Sequence, residues 1–417
     1  MTESAPAGPP APPFRLSMLI YDRQYRSLTI QVVVFILLML LVSWIVHNTV
    51  LNLARLGKDI NFSFLFNRAG YDIPQQLIPY DSDDTHLRAA MVGLLNTLYV
   101  SLLGCIAATV LGVVAGVLRL SNNWLIARIM TVYVEIFRNI PLLLWILIIY
   151  AAFTEITPGP REYRGENARE MFLGLFAPTN RYTAIPSVIA EHSPGVLAIG
   201  RIEIPWLAIM GIVFFIAAIV LRRWVNARAQ RIQNSTGRRP TTWWINLALF
   251  AVPPIAIWLI FGLHLEVPEL AGFNFKGGIN VDNSLVALWL ALSLYTGAFI
   301  AEIVRAGILA ISKGQTEAAY ALGLSPGWTM NLVILPQALR VIIPPLISQY
   351  LNLIKNSSLA VAVGYMDLRG TLGGTTVNQT GREMEGILLM MAIYLSISLS
   401  VSAVMNIYNN RVKLKER

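Results

Sequence analysis

Residues 90–118 read AMVGLLNTLYVSLLGCIAATVLGVVAGVL and contain no charged side chain. This run is longer than the roughly 20 apolar residues that an α-helix needs to cross a bilayer. Further apolar runs lie at 28–46, 125–153, 204–221, 244–263, 285–311, 341–363 and 387–407. Because a backbone in hydrocarbon must satisfy its own hydrogen bonds, these runs predict an all-α polytopic membrane protein with about eight transmembrane helices.

The composition agrees with this fold class. Of the 417 residues, 55% are hydrophobic and 13% are charged, about half the charged share of an ordinary soluble domain. The net charge of +9 would suggest nucleic acid in a soluble protein, but in a membrane protein it indicates basic cytoplasmic loops. We therefore expect no nucleic-acid partner. With one cysteine and four scattered histidines, we also expect no metal site and no catalytic cluster.

The charges between the runs predict the orientation. Arg and Lys dominate the N-terminal flank, the loops near 119–128 and 222–239, and the C-terminal end, whereas acidic residues dominate the alternate loops. The positive-inside rule then places both termini in the cytoplasm. The basic loop 222–239 serves either as this topology signal alone or also as a site for anionic lipid.

The runs and loops predict the following organisation. The parts are a disordered cytoplasmic tail at 1–27, an additional transmembrane helix with a periplasmic loop at 28–89, a main transmembrane domain at 90–408, and a cytoplasmic tail at 409–417. Within the main domain we expect core helices at about 90–153 and 285–408. The segment 154–284 between them is predicted to be an insertion with two extra helices.

Residues 312–328, which join the sixth and seventh runs, read SKGQTEAAYALGLSPGW. Local rules predict a short helix that ends near Gly323 in the left-handed conformation. Ser325 would then cap a second helix that has Pro326 at its first position. From these rules alone, the helix pair is either an ordinary structured loop or a docking element for another protein.

This loop resembles the signature loop of ABC-importer permeases. The family pattern is EAA, three residues, Gly, nine residues and I-x-L-P; the chain has Glu317-Ala318-Ala319, Gly323 and Val333-Ile334-Leu335-Pro336. The departure is Val333, where the pattern prefers Ile. Flanking stretches narrow the resemblance to the polar amino-acid branch of the histidine/glutamine type, at 135–143, 295–308, 335–340 and 355–360. The length and extra runs are most similar to the larger permease subunit of a bacterial general L-amino-acid importer.

The resemblance implies a type I ABC importer fold and a transport function. The chain would be a permease subunit, not an enzyme, that moves L-amino acids across the bacterial inner membrane by alternating access. The implied partners are two copies of an ATP-binding subunit, a periplasmic amino-acid-binding protein, and a second permease subunit, in a heterodimer or else a homodimer. ATP and magnesium would bind to the ATPase subunit, because this chain has no phosphate-binding P-loop. The alternative is a self-contained, ion-coupled secondary amino-acid transporter.

Two groups of site residues follow from the loop and the charged positions. The resemblance assigns ATPase coupling to Gln315, Glu317, Ala318, Ala319 and Gly323. Charges are costly inside a bilayer, so Glu302 with Arg305, and Glu135 with Arg138, are candidates for structural or functional ion pairs at a three-residue spacing. Pro141 follows the second pair and predicts either a kink or a broken helix that presents backbone groups to a ligand.

A third group consists of polar residues along the expected substrate pathway. They are Asn352, Lys355, Asn356 and Ser357 in the seventh run, and Asn96 and Thr97 near the start of the second. Lys355 is the one basic residue of its run. It would suit the carboxylate of an amino acid, or it would snorkel to the membrane surface or pair with an acid elsewhere.

Overall fold

The computed structural model describes residues 18–55, 60–164 and 169–412. It forms two compact units, Met1–Ser63 and Phe64–Arg417. The first unit contains α1 (Met18–Tyr21) and α2 (Arg23–Arg55). The 33 residues of α2 give a length of roughly 50 Å, and its apolar side chains are exposed. Most of the predicted N-terminal tail and the last residues of the C-terminal tail lie outside the described residues.

The second unit is mainly helical. Its helices are α3 (His86–Leu118), α4 (Trp124–Asn139), α5 (Leu142–Ala151), α6 (Trp206–Thr236), α7 (Trp243–Phe261), α8 (Asn283–Leu309), α9 (Lys313–Ala321), α10 (Pro326–Thr329), α11 (Leu335–Asn356), α12 (Leu368–Gly370), α13 (Val377–Thr380) and α14 (Glu383–Val412). Short 3₁₀ or π-helical turns occur at Ser63–Phe66, Ala152–Ile156, Pro160–Tyr163, Met330–Ile334, Ser357–Val363 and Thr371–Thr376.

The expected number of membrane spans is confirmed. Within the described ranges, seven helices are long and apolar enough to cross a bilayer, and the bent pair of α4 and α5 counts as an eighth. The mainly helical membrane fold predicted from the apolar runs is therefore the one observed.

The centre of the second unit is the contact between α3 and α8. Small residues make this contact close: a Cβ atom at Gly112 would lie 2.5 Å from the Cβ of Ile300, and one at Gly116 would lie 2.6 Å from the carbonyl oxygen of Ala301. Later residues of α3 contact later residues of α8, so the two helices run in the same direction. Ile146 of α5 and Leu353 of α11 are buried in the same apolar core.

The third apolar run is not one continuous helix. We predicted a single span at 125–153, but the chain bends by 105° between Trp124–Asn139 and Leu142–Ile156. The cause is Pro141, which disfavours helical backbone at the preceding residue. Ile140 accordingly takes the extended conformation, with φ −106° and ψ 134°. The structure thus has the broken helix that the sequence had left as one of two possibilities.

The segment between α5 and α8 contains short β-strands that the sequence analysis did not predict. They are β1 (Ala177–Pro178), β2 (Tyr182–Ile185), β3 (Ser187–Ala190), β4 (Val196–Ile199), β5 (Ile202–Pro205), β6 (Leu263–Glu266), β7 (Glu269–Ala271), β8 (Asn274–Lys276) and β9 (Ile279–Asp282). None exceeds four residues, the shortest stretch in which alternating hydrophobicity indicates a strand. Glycines with positive φ make two of the turns, Gly200 at 64° and Gly272 at 74°.

All strand pairs in this segment are antiparallel. β1, β2 and β9 form one sheet, in which Tyr182 pairs with Asp282 and Ile185 pairs with Ile279. The other pairs are β3 with β6, β4 with β5, and β7 with β8. Since α8 begins at Asn283, directly after β9, this sheet connects the inserted segment to the central helix of the core.

Helices α6 and α7 form a hairpin beside the core. They pack against each other, and at one end they join β5 and β6. Most of their large apolar side chains are exposed, including Ile212, Phe215, Trp258 and Leu259. A bilayer would cover these side chains.

Candidate functional site

The loop between α8 and α11 has the predicted helix pair. α9 begins after Ser312, and the turn that follows it has Gly323 at φ 76°. Pro326 is the first residue of α10. The expected cap differs in one respect, because the Ser325 side chain occupies the capping position without making a capping hydrogen bond.

Most of this loop is exposed, including several large apolar side chains. Leu322 is 82% exposed and Trp328 is 62% exposed, and Glu317 and Ala318 are exposed as well. Ala319 is buried against the chain itself, so the free face of α9 presents Glu317 and Ala318. An exposed apolar face next to an acidic side chain is typical of a surface that another protein covers.

The loop is connected to the next membrane helix through a hydrogen bond as well as through the chain. Gln337 Nε2 in the first turn of α11 donates to Gln315 Oε1 of α9 at 3.2 Å. A π-helical turn at Met330–Ile334 joins α10 to α11 without an intervening coil. The loop and the start of α11 are therefore joined both through the chain and through this hydrogen bond.

One face of α11 carries polar side chains and a proline that the rest of the chain does not cover. Exposed positions on this face follow a helical spacing, at Arg340, Pro344, Ser348, Asn352 and Lys355. Lys355 has no acidic partner among the described residues. Polar groups that face lipid are costly, so this face is suited to contact water, substrate or protein.

Two further candidates, at the end of α11 and directly after it, differ in exposure. Ser357 is fully buried, and its hydroxyl donates to the carbonyl oxygen of Ile354 at 2.8 Å. Asn356 is half-buried. Of the four candidates in this run, Asn352 and Lys355 are thus the two with open access.

Asn96 and Thr97 are buried, and both connect α3 to the segment after α11. Asn96 Nδ2 donates to the carbonyl oxygens of Gln75 and Met366, at 2.7 and 2.9 Å. Thr97 Oγ1 accepts a hydrogen bond from the backbone N–H of Leu368 at 3.0 Å. These contacts are structural ties, and the Asn96 Oδ1 atom is buried without a hydrogen-bond partner among the described residues.

Glu302 on α8 is contacted by three guanidinium groups. Arg305 and Arg119 donate to its two oxygens at 2.6 and 2.5 Å, and a nitrogen of Arg138 lies 3.7 Å away. The predicted pair of Glu302 and Arg305 is therefore present. Arg119 follows α3 and Arg138 belongs to α4, so one carboxylate joins three helices at this end of the core.

The second predicted pair, Glu135 with Arg138, is replaced by other contacts. Arg138 turns toward Glu302, and its guanidinium lies 5.4 Å from the Phe299 ring centre. The Glu135 carboxylate instead accepts a hydrogen bond from Asn139 Nδ2 at 3.1 Å. Residues three apart are neighbours on a helix. Arg138 nevertheless contacts Glu302 of α8, whose carboxylate is less exposed than that of Glu135.

Sequence reasoning missed a buried carboxylate near the ties of α3. Asp367 is fully buried, and it accepts from the backbone N–H of Gly370 at 2.8 Å and lies 3.5 Å from the Tyr394 hydroxyl. Burial raises the pKa of Asp367 to about 7. The only sequence signal was an acidic residue two positions before Arg369, which is common in ordinary loops. No group of metal-binding side chains occurs among the residues described.

A further ion pair cluster lies at the opposite end of the core. Arg201, in the turn between β4 and β5, donates to Asp84 and Asp81 at 2.6 Å each. The Arg201 guanidinium holds the pKa of Asp81 below its usual range. This contact attaches the inserted segment to residues 64–85.

Comparison with known proteins identifies the family. The family described as "Binding-protein-dependent transport system inner membrane component" matches residues 227–414. The chain is 57% identical to the glutamate/glutamine/aspartate/asparagine transport system permease protein BztB of Rhodobacter capsulatus, over 98% of this chain and 99% of that protein. It is 44% identical to the general L-amino acid transport system permease protein AapQ of Rhizobium johnstonii, over 97% and 96%.

A solved structure described as "Crystal structure of an amino acid ABC transporter with histidines" also aligns with the chain. The alignment covers 78% of this chain and 95% of that one, at 19% identity and a TM-score of 0.44.

The chain belongs to the family of ABC-importer permease subunits for amino acids. It is a multi-span transport subunit and not itself an enzyme, as the sequence analysis predicted. The self-contained, ion-coupled transporter has no support among these relatives.

Proposed function

We propose that this chain forms one half of a translocation path for L-amino acids, lined by the exposed polar face of α11. The observation that carries this proposal is the stripe from Arg340 to Lys355, which the chain leaves uncovered in a membrane helix. Lys355 would bind the carboxylate of the amino acid through a charge-assisted hydrogen bond. The relatives named for acidic amino acids and their amides, and for general L-amino acids, suggest that substrate class.

An ATP-binding subunit would dock on the loop at 312–328. Glu317 would contact a basic group of that subunit, Ala318 would permit close approach, and the exposed Leu322 and Trp328 would be covered by it. Two copies of the subunit would bind ATP and magnesium. Their closure would displace α9, and the hydrogen bond between Gln315 and Gln337 would pass this displacement to α11.

The uncovered face of α11 would meet a second permease subunit, so that the path forms between two lobes. We favour a heterodimer, with a homodimer as the other outcome. A periplasmic amino-acid-binding protein would dock on the outer loops at 48–88 or 154–203. This arrangement would put both termini in the cytoplasm of a bacterial inner membrane. The six arginines between 222 and 239 favour it, although the segment predicted as a loop is helical up to Thr236, the end of α6.

The domain organisation that we propose keeps the boundaries drawn from the sequence. The core helices at about 90–153 and 285–408 would form the translocating lobe. The additional helix and loop at 28–89 and the insertion at 154–284 would not belong to that lobe, and 1–27 and 409–417 would be tails.

The role of Lys355 is tested by uptake of labelled L-glutamate and L-glutamine into proteoliposomes that contain the assembled transporter. In Lys355→Gln we expect the KM for uptake to rise about 10- to 100-fold, the range for loss of a charged hydrogen bond. The matched control is Lys276→Gln, which removes an exposed lysine from β8. An unchanged KM in Lys355→Gln would refute this role.

The role of the loop is tested by co-purification of the tagged chain from membranes in mild detergent. Glu317→Arg should lose the ATPase subunit or uncouple ATP hydrolysis from uptake, because it reverses the charge on the free face of α9. Glu269→Arg makes the same change on the exposed strand β7 and should behave as the wild type. Normal ATPase recovery and normal uptake in Glu317→Arg would contradict the docking proposal, and a second permease among the recovered proteins would establish the heterodimer.

A further inference from the structure

The seam between α6 and α7 contains an apolar cavity of about 160 Å³ that is partly open to the surroundings. Its walls include Gly211, Phe214 and Ala218 from α6 and Phe250, Pro253 and Pro254 from α7. Gly211 faces open space, since a Cβ atom placed there would have no neighbour within 4 Å. Apolar cavities near 150 Å³ in proteins stay dry and accept hydrocarbon guests. The cavity is therefore suited to a segment of an acyl chain.

Positive charge lies at one end of this cavity. Arg222 is one helical turn beyond the cavity residue Ala218, and its guanidinium lies 6.0 Å from the centre of the Phe250 ring, which lines the cavity. The side chain of Arg222 therefore points toward the seam between the helices. Arg223 follows it, and no acidic residue occurs anywhere from 204 to 265.

Polar side chains close the seam just past the arginines. Asn226, one turn beyond Arg222, accepts hydrogen bonds from Thr242 and from Asn246 Nδ2, at 3.4 and 3.3 Å. The Oδ1 atom of Asn246 is buried and has no hydrogen-bond partner in the described structure. These side chains make the end of the seam beyond Arg222 polar, whereas the cavity on its other side is apolar.

The depth of these groups matches a lipid. Arg222 lies 16 residues after Trp206, roughly 24 Å along the helix axis, close to the far edge of a hydrocarbon layer about 30 Å thick. The cavity lies on the apolar side of Arg222, where acyl chains run. The arginines thus lie where the phosphate of a phospholipid would be, and the apolar cavity lies where its acyl chains would be.

We propose that the seam between α6 and α7 binds an anionic phospholipid, with one acyl chain in the cavity and the phosphate at Arg222 and Arg223. The remaining arginines, Arg228, Arg231, Arg238 and Arg239, lie farther along the chain. They do not line the cavity and are not part of the proposed site. This inference concerns a site outside the translocating core and does not depend on the proposed function.

The test is native mass spectrometry of the full chain, purified in detergent with its partner subunits and titrated with phosphatidylglycerol or phosphatidylcholine. We expect saturable binding of one phosphatidylglycerol per chain and at least tenfold weaker binding of phosphatidylcholine. Arg222→Gln with Arg223→Gln should weaken the phosphatidylglycerol affinity about 25-fold, on the basis of about fivefold for each arginine near an anionic surface. Gly211→Leu should weaken it as well, because the new side chain fills the cavity.

Two matched controls separate this site from diffuse attraction. Arg238→Gln with Arg239→Gln removes the same charge away from the cavity, and Ile212→Leu alters an exposed neighbour of Gly211; both should bind as the wild type does. Equal loss in both arginine pairs, or equal binding of the two lipids, would overturn the proposal. If Gly211→Leu does not fold, Ala218→Val provides the same test of the cavity.

Discussion

The pair of α3 and α8 and the pair of α6 and α7 are both helix pairs in a membrane, but they approach each other very differently. In the first pair, a single added methyl group at Gly112 would meet Ile300 at 2.5 Å; in the second, Gly211 faces empty space. Lipid tails are as apolar as Leu, so helices associate in a bilayer through close packing and hydrogen bonds. The α3–α8 pair has both the packing and the Glu302 ion pairs, whereas the α6–α7 hairpin is left with space that lipid can occupy.

The difference separates a rigid part of the molecule from an adaptable one. The rigid pair is joined to α11 through the loop at 312–328. The hairpin joins the strands β5 and β6 and does not lie between the loop and α11. The two helix pairs should therefore respond differently to mutation.

The largest effect is expected at Glu302. Glu302→Gln removes the charge that three arginines share and leaves them near one another without compensation. We expect a loss of about 2–4 kcal/mol in the free energy of unfolding, below the full range for a buried pair because the side chain is a quarter exposed. The measurement is thermal unfolding of the purified chain in detergent. Glu135→Gln makes the same change at an exposed carboxylate and should alter the unfolding temperature little; equal shifts would disprove a shared role for Glu302.

The next largest effect is expected at Gly112. Gly112→Ala forces α3 and α8 apart, because the new Cβ atom would also lie 2.8 Å from the carbonyl oxygen of Gly297. Overpacking of this kind costs about 1–3 kcal/mol. The same unfolding experiment measures it, and an unchanged unfolding temperature would mean that the two helices are not tightly packed.

A smaller effect of opposite sign is expected in the hairpin. Gly211→Ala adds a methyl group without a clash and reduces the backbone freedom of the unfolded chain. The unfolding free energy should change by less than about 1 kcal/mol, toward greater stability. Destabilisation as large as that of Gly112→Ala would show that the comparison between the two helix pairs is wrong.

The smallest effect concerns the contact of Arg201 with Asp81 and Asp84. Because the pKa of Asp81 is lowered in the folded protein, the stabilisation is complete above the ordinary Asp pKa of about 4. It is lost as the pH falls further, through the lowered pKa. Hydrogen exchange at residues 196–205, corrected for the intrinsic rate, should be constant from pH 8 to pH 5 and should rise below pH 4. In Arg201→Gln the corrected exchange rate should already be raised at pH 7. If acid raised the exchange rate equally in the wild type and in this variant, the contact would not be the cause.

Sequence patterns predicted the parts of this molecule that depend on local rules. The apolar runs marked the spans, the three-residue spacing predicted the pair of Glu302 and Arg305, and Gly323 marked the turn of the helix pair. Arg119 and Arg138 could not be assigned to Glu302, because their contacts depend on how α3 and α4 cross α8. The strands β1–β9 were missed because none exceeds four residues, the minimum in which a periodic pattern can be recognised. The roles of the loop and of α11 remain predictions that the proposed experiments address.

The pairing of β2 with β9 has a consequence for how a chain of this kind is assembled. Ile185 and Ile279 lie opposite each other in that sheet, so residues 186–278 leave the core and return to it at neighbouring points. A tight two-residue turn is the commonest way to join two antiparallel strands. The two ends of the intervening segment are therefore close enough for a tight turn to join them. A chain shortened between these positions would still run unbroken from α5 through β2 and β9 into α8.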